Sequence, residues 1–294
     1  MALMIVRRPG VPLVVAILAM GGLTGCAADA SADDERPSLV ASFYPLAFVA
    51  ERVAGPDVRV ENLTSPGVES HDLELTPRQV GEIASADVVV YQSGFQPSVD
   101  QAVEQTAPGA VLDVTQVANP QHDDPHVWLD PTRLALITRA VGTELSDVVP
   151  EHADRFHQRV DALVEELTAL DEDFRTGLAD CERTVVVTSH DAFGYLADRY
   201  GLEFVGIAGL APDAEPSPAR LKEVQHEIEG TGVTTVFYER LVSPDVAQAL
   251  AADLGVSTAV LDPVEGLTED TEDEDYLTLM RENLAALEEA NGCR

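Results

Sequence analysis

Short apolar runs rich in β-branched residues recur along the chain, separated by longer stretches with helical spacing. Several of these runs contain almost no polar residue, which is typical of strands buried on both faces of a parallel sheet. Four runs fall in the first half and four in the second, which predicts two α/β lobes. The eight predicted strands are Leu39–Phe43, Val58–Leu63, Asp87–Tyr91, Ala110–Val114, Thr184–Thr188, Glu203–Ile207, a run around Thr235 that ends at Tyr238, and Ser257–Leu261.

The longest helical pattern lies between these two sets of strands, from about Glu151 to Leu178. Its apolar residues recur at steps of three and four and form one stripe. At 1.5 Å per residue, such a helix is roughly 40 Å long. We expect it to join the lobes as a rigid connection that permits only small lobe movements. The stripe comprises Phe156, Val160, Leu163, Val164, Leu167, Leu170, Phe174 and Leu178.

The N-terminus has the pattern of a lipoprotein export signal. Two arginines precede an apolar run of 13 residues, Val11–Leu23, which leads through small residues to Cys26. The run is shorter than the roughly 20 residues that span a membrane. We expect cleavage before Cys26 and a lipid on its sulfur, which would anchor the exported protein to the outer face of the cell membrane.

These patterns divide the chain into five parts. We expect a signal peptide over residues 1–25, a flexible tether over 26–37 and a first lobe over 38–148. The connecting helix would occupy 149–180 and the second lobe 181–294.

Two cysteines remain after Cys26, namely Cys181 and Cys293. In an exported protein an even number of cysteines indicates a disulfide. Closing so long a loop would stabilise the fold by about 4–5 kcal/mol in the chain-entropy model. The alternative is a pair of free thiols.

The net charge narrows the choice of partners. The 294 residues carry a formal charge of −34. A field of that sign repels phosphate groups, which argues against a nucleic-acid partner, and it attracts cations. The charge alone identifies no ligand.

Histidines and carboxylates follow several of the predicted strands. His71, His126 and His190 lie in loops after the second, fourth and fifth strands, and Asp262 and Glu239 directly follow the eighth and seventh. Ligands of open parallel sheets bind beyond the carboxyl ends of the strands. Three imidazoles and a carboxylate form a coordination sphere that zinc accepts, so these positions predict a metal site in the cleft between the lobes.

Four segments resemble the signatures of the zinc/manganese solute-binding proteins of ABC importers: SHDLELTP, DPHVWLDP, SHDAFGYLADRYGL and VLDP. The resemblance implies two (β/α)4 lobes with parallel sheets, one long rigid connecting helix and a metal ion between the lobes. It implies that the metal ligands are His71, His126, His190 and Asp262, with Glu239 as an alternative fourth ligand. The family has histidine or glutamate at the third position, and His190 favours Zn²⁺ over Mn²⁺ or iron.

The resemblance implies a substrate-binding lipoprotein that captures Zn²⁺ outside the cytoplasm and delivers it to a membrane permease driven by an ATPase. We expect a monomer without enzymatic activity. The alternatives are a Mn²⁺ or Fe²⁺ binding protein of the same family, a zinc-dependent hydrolase with Glu239 as general base, and a surface adhesin. Capture requires neutral imidazoles, so affinity should fall as the pH drops through roughly 6.

Two further polar segments are expected to be solvated surface. Many zinc-uptake members carry a histidine-rich loop before DPH, but here it is reduced to NPQHDD, and we interpret His122 as a surface residue. Thr268–Tyr276 contains six carboxylates and is interpreted as an exposed loop. The alternative is that this loop gathers cations near the mouth of the cleft.

Overall fold

The computed structural model describes residues 36–106, 109–118 and 124–294. The expected signal peptide, nearly all of the tether, the lipidation site at Cys26 and the surface position of His122 lie outside the described residues.

Two four-stranded sheets, with all strands parallel, organise the described chain. All eight predicted strands are present, with ends that differ from the expected ones by at most two residues. The first sheet has the order β2-β1-β3-β4 and the second the order β6-β5-β7-β8. The strands are β1 (Ser38–Ala41), β2 (Arg59–Asn62), β3 (Val88–Tyr91), β4 (Ala110–Asp113), β5 (Val185–Thr188), β6 (Glu203–Gly206), β7 (Thr235–Tyr238) and β8 (Ser257–Val260).

Helices connect successive strands and cover both faces of each sheet. Several begin at a residue whose side chain accepts a backbone N–H, for example Thr76 at the start of α2 and Ser217 at the start of α8. The α-helices are α1 (Tyr44–Ala54), α2 (Pro77–Ser85), α3 (Pro97–Thr106), α4 (Thr115–Ala118), α5 (Pro131–Val148), α6 (Ala153–Gly177), α7 (Gly194–Tyr200), α8 (Pro218–Thr231), α9 (Asp245–Leu254) and α10 (Tyr276–Asn291).

Alternate residues of the central strands face different cores, as side chains of a strand must. Val88 and Val90 of β3 face the largest core, while Val89 faces a smaller cluster that includes Ile83 of α2. Val186 of β5 also belongs to the largest core, and Val187 to a third cluster. The inner faces of both sheets therefore share one continuous core.

The predicted connecting helix is α6, which has 25 residues. Six apolar residues of its predicted stripe are buried in the shared core, with Leu163, Leu167 and Phe174 fully inaccessible. The helix packs against α1, α5 and α10. Because the stripe is buried along its whole length, bending α6 would expose apolar surface on both sides of the molecule.

The predicted disulfide is confirmed. Cys181 and Cys293 are bonded across a sequence separation of 112 residues. The bond ties the segment before β5 to the end of the chain, away from the carboxyl ends of the strands.

None of the described helices combines the length and the apolar character that a membrane crossing requires.

Candidate metal centre

Four side chains from distant parts of the chain meet beyond the carboxyl ends of the strands. His71, His126, His190 and Glu265 each offer one ligand atom, and these atoms all lie within 4.8 Å of one another. His71 lies between β2 and α2, His126 immediately before a short 3-10 helix (Val127–Leu129), and His190 two residues after β5. The three histidines therefore lie together, as the sequence predicted.

The spacing of the ligand atoms suits a tetrahedral ion. His126 Nε2 lies 3.4 Å from Nε2 of both His71 and His190. Glu265 Oε1 lies 3.1 Å from His126 Nε2, 3.4 Å from His71 Nε2 and 3.8 Å from His190 Nε2. Ligand atoms about 2.0–2.1 Å from a tetrahedral Zn²⁺ are roughly 3.3–3.4 Å apart. The distances around His126 match this spacing, so the four side chains are close to a zinc-binding arrangement.

The four side chains are largely buried, so an unbalanced charge among them would be costly. The side chains of His126 and His190 are 0% exposed, that of Glu265 is 3% exposed and that of His71 is 15% exposed. Glu265 Oε1 is buried and has no well-aligned hydrogen-bond donor among the described residues. A buried carboxylate oxygen without a donor is costly, and a cation among the imidazoles would satisfy it.

Two of the imidazoles are oriented by carboxylates on their opposite side. His126 Nδ1 lies 2.7 Å from Asp124 Oδ1, and His190 Nδ1 lies 2.6 Å from Glu239 Oε1. Ser189 Oγ also donates to Glu239. An imidazole that donates from Nδ1 keeps the lone pair on Nε2 free for a metal ion.

A glycine makes room for one of these carboxylates. A Cβ on Gly194, at the start of α7, would come within 2.6 Å of Asp124 Oδ2. The Tyr195 hydroxyl next to it donates to the Asp124 carbonyl over 3.0 Å. Asp124 is therefore fixed between the loop of His126 and α7.

The carboxylates also change the proton affinity of the site. Burial alone would lower the pKa of His126, but the hydrogen bond to Asp124 and the close approach of the Glu265 carboxylate raise it to about 9. Burial would raise the pKa of Glu265, but the imidazoles of His126 and His71 hold it well below its usual range. At neutral pH a cation must therefore displace a proton from His126. The pH range in which protons compete extends higher than the value near 6 expected from an unperturbed histidine.

Asp262, the carboxylate expected to complete the set, is not a member of this group. Its Oδ1 accepts the backbone N–H of Val264 over 2.8 Å, and its Oδ2 pairs with Arg240 Nε over 3.0 Å. Glu265, three residues later, supplies the carboxylate instead. Glu239, the alternative ligand, bonds the far side of His190.

Glu265 and Asp124 were not predicted from the sequence, and the structure around each residue explains why. Asp262 was favoured because it directly follows β8, but the chain turns after it and brings Glu265 back to the histidines. The segment VLDPVEG contains both carboxylates, and only the turn decides between them. Asp124 was missed because an aspartate two residues before a histidine has no signature of its own.

A cavity of about 520 Å³ lies beside the loop that carries His71. Its lining includes Glu69, Asp72, Asp213 and Leu241. The Glu69 carboxylate accepts the backbone N–H of His71 over 3.1 Å, so this cavity reaches the loop of the most exposed ligand. Burial and the neighbouring Glu265 charge raise the pKa of Glu69 to about 7.

Comparison with known proteins identifies the family of the chain. The family model described as "Zinc-uptake complex component A periplasmic" matches residues 39–290. The zinc-binding lipoprotein AdcA of Streptococcus pneumoniae is 33% identical over 303 residues, which cover 95% of this chain and 60% of the relative. The high-affinity zinc uptake system protein ZnuA of Bacillus subtilis is 29% identical, with 93% of each chain covered.

A solved structure shares the fold. The Zn(II)-bound ZnuA-like domain of S. pneumoniae AdcA superposes with a TM-score of 0.77 at 33% identity, covering 87% of this chain and 99% of that one. This chain spans about 60% of the length of the AdcA relatives that it matches. The family match covers nearly all of the described chain, so this chain belongs to the ZnuA family, the periplasmic component A of zinc-uptake complexes.

Proposed function

We propose that this chain captures Zn²⁺ outside the cytoplasm and delivers it to the permease of an ABC importer. One observation carries the proposal: three imidazole Nε2 atoms and one buried carboxylate oxygen converge at distances that suit a tetrahedral zinc ion. In this proposal the ligands are His71, His126, His190 and Glu265, so Glu265 takes the place first expected of Asp262.

The donor set favours zinc over manganese. Mn²⁺ is a harder ion that prefers oxygen ligands and more than four of them, while three nitrogens and one oxygen suit Zn²⁺. Both oxygens of Asp262 and the bonded oxygen of Glu239 are engaged elsewhere. Asp262 therefore cannot add an oxygen ligand without breaking an existing contact.

The buried geometry also supports binding over hydrolysis. A hydrolytic zinc site keeps one coordination position open for water and needs a nearby base. Here four protein ligands surround the common point. Glu239, the base considered for hydrolysis, is bonded to His190 Nδ1 and Ser189 and so serves to orient the ligand.

Capture in this proposal begins at His71. It has the most exposed side chain of the four, and the adjoining cavity reaches its loop. The carboxylates of Glu69, Asp72 and Asp213 at that cavity favour a cation over an anion. The ion then displaces the proton from His126 and reaches the deeper ligands.

Membrane anchoring and delivery are part of the same proposal. We infer that the lipidated Cys26 holds a monomer at the outer face of the membrane, where a permease and its ATPase receive the ion. The export-signal pattern and the relatives named as lipoproteins support this inference. The proposed division into lobes at 38–148 and 181–294, joined by 149–180, assigns two ligands to each lobe.

Competitive metal titration tests the proposal. The purified protein is titrated with Zn²⁺ against a chromophoric chelator, alone and with excess Mn²⁺, together with the variants His190→Ala and His226→Ala. We expect one zinc ion per chain, resistance to Mn²⁺, a large loss of affinity in His190→Ala and none in His226→Ala, since His226 is 84% exposed on α8. Equal zinc affinity in the two variants, or preference for Mn²⁺, would refute the proposal.

A further inference from the structure

The turn that presents Glu265 contains an unusual backbone conformation. Val264 has φ of 55° and is the only non-glycine residue with positive φ among residues 36–106, 109–118 and 124–294. Its side chain is fully buried. A β-branched residue in the left-handed region is strained, so it persists only where its surroundings hold it there.

Asp262 supplies the first restraint on this turn. Its Oδ1 accepts the Val264 N–H over 2.8 Å, which closes the turn around the strained residue. Its Oδ2 is held by Arg240 Nε at 3.0 Å, and Arg240 also pairs with Glu282 of α10. The Asp262 carboxylate is therefore fixed at both oxygens.

The Asp262 backbone is fixed as well. Its N–H donates to Asn283 Oδ1 over 2.8 Å, and Asn283 Nδ2 donates back to the Asp262 carbonyl over 2.6 Å. Asn283 is buried within α10. The turn is thus attached to a helix at its first residue.

Trp128 and Ser70, which lie close in sequence to His126 and His71, hold the rest of the turn. Trp128 Nε1 donates to the Pro263 carbonyl over 2.7 Å, and Ser70 Oγ donates to the Glu265 carbonyl over 3.0 Å. Trp128 lies two residues after His126, and Ser70 immediately precedes His71. The position of Glu265 is therefore linked to the loops of both first-lobe histidines.

We propose that Asp262 is a positioning residue for the metal ion: it holds Val264 in its strained conformation and so directs the Glu265 carboxylate at the three imidazoles. This inference rests on the proposed zinc-binding function. Without the Asp262 acceptor, the buried Val264 N–H loses its partner and the backbone relaxes toward negative φ. Because Glu265 is the next residue, that rotation moves its carboxylate away from the ion.

The test compares Asp262→Ala, Asp262→Asn and Glu265→Ala by zinc titration and by the visible spectrum of bound Co²⁺, which reports the ligand set. We expect Asp262→Ala to weaken zinc binding by roughly 10–100-fold, the range for residues that orient metal ligands, and to alter the Co²⁺ spectrum. Asparagine keeps the Oδ1 acceptor but loses the ion pair with Arg240, so Asp262→Asn should lose less zinc affinity than Asp262→Ala. Glu265→Ala should weaken binding at least as much as Asp262→Ala.

Asp275→Ala is the matched control. Asp275 is an aspartate that accepts a backbone N–H over the same 2.8 Å, from Thr278 at the start of α10, and it touches no metal ligand. We expect this variant to lower the unfolding temperature and to leave zinc affinity and the Co²⁺ spectrum unchanged. A loss of zinc affinity equal to that of Asp262→Ala would mean that the effect is general destabilisation, which overturns the inference.

Two other outcomes would overturn it. Asp262→Ala could bind zinc like the unmodified protein with the same Co²⁺ spectrum, or Asp262→Asn could lose binding while Glu265→Ala retains it, which would make Asp262 a direct ligand.

If Asp262→Ala does not fold, Asp262→Ala with Val264→Gly replaces it, because glycine adopts positive φ without strain. Glycine adopts negative φ as readily, so without the Asp262 acceptor nothing holds the turn at positive φ. The double variant should therefore fold and still bind zinc at least tenfold more weakly, and affinity equal to that of the unmodified protein would count against the inference. Failure of the unmodified protein to bind zinc would instead refute the proposed function.

Discussion

The histidines of the metal centre and its carboxylate, Glu265, are held in position in different ways. His190 lies two residues after β5 and His126 immediately precedes the 3-10 helix Val127–Leu129. Each is oriented by one carboxylate on its Nδ1 atom, Glu239 for His190 and Asp124 for His126. Glu265 depends on a strained turn whose contacts come from both lobes and from α10. The comparison indicates that each of these two imidazoles is oriented by one carboxylate, while Glu265 is positioned by a strained turn that several tertiary contacts hold.

The largest expected effect comes from removing a buried imidazole. His190→Ala deletes one of four ligands and leaves Glu239 and Glu265 as unbalanced buried carboxylates. We expect zinc affinity to fall by more than the roughly 10–100-fold that the loss of an orienting residue costs. Titration against a chelator measures the change. A loss below tenfold would mean that His190 is not a ligand.

Removing an orienting carboxylate should have the next largest effect. Asp124→Ala frees the His126 ring, and we expect this loss of orientation to outweigh the weaker proton competition that follows from a lower His126 pKa. We expect zinc affinity to fall by about 10–100-fold. The matched control is Asp113→Ala, because Asp113 accepts hydrogen bonds from Ser93 and Thr115 at the end of β4, without contact to a ligand. Equal losses in the two variants would contradict a specific role for Asp124.

The pH dependence of zinc binding should follow His126. Its pKa of about 9 lies above the ordinary histidine value, so the unloaded site is protonated at neutral pH. Protons compete below this pKa and not above it. We therefore expect affinity to rise by up to about tenfold per pH unit between pH 7 and 9 and then to level off.

Calorimetry in buffers of different ionisation enthalpy measures the proton release directly. About one proton should leave per zinc ion bound at pH 7.5. Affinity that is already constant above pH 7 would show that His126 is neutral in the unloaded site.

The disulfide should affect stability while leaving the metal centre intact. Replacing Cys181 and Cys293 together by serine should lower the free energy of unfolding by about 4–5 kcal/mol, as expected for a loop of this length. Denaturant titration measures this change. Zinc affinity should stay the same, because the bond lies away from the carboxyl ends of the strands. A change in affinity would reveal coupling between the two regions.

What could be predicted from the sequence depends on whether a feature follows from a pattern along the chain or from tertiary contacts. The eight strands, the long helix α6 and the disulfide were predicted correctly, since uninterrupted β-branched runs, a single apolar stripe and paired cysteines are local patterns. The convergence of His71, His126 and His190 followed from their positions after parallel strands.

The carboxylate could not be predicted in this way. Strand-end position favoured Asp262, and no periodicity indicates that Val264 adopts positive φ and turns Glu265 back toward the histidines. The contacts that impose this turn come from Trp128, Ser70 and Asn283, which are distant in sequence. Asp124 was missed for a similar reason, because its role depends on the space left by Gly194.

The central claim is tested most directly by a crystal structure of the protein loaded with Zn²⁺, with the ion located by anomalous scattering at the zinc edge. The account predicts one tetrahedral ion about 2.0–2.1 Å from Nε2 of His71, His126 and His190 and from an oxygen of Glu265, with Asp262 still bonded to Val264 and Arg240. An ion bound by Asp262 in place of Glu265, or located away from the histidines, would contradict it.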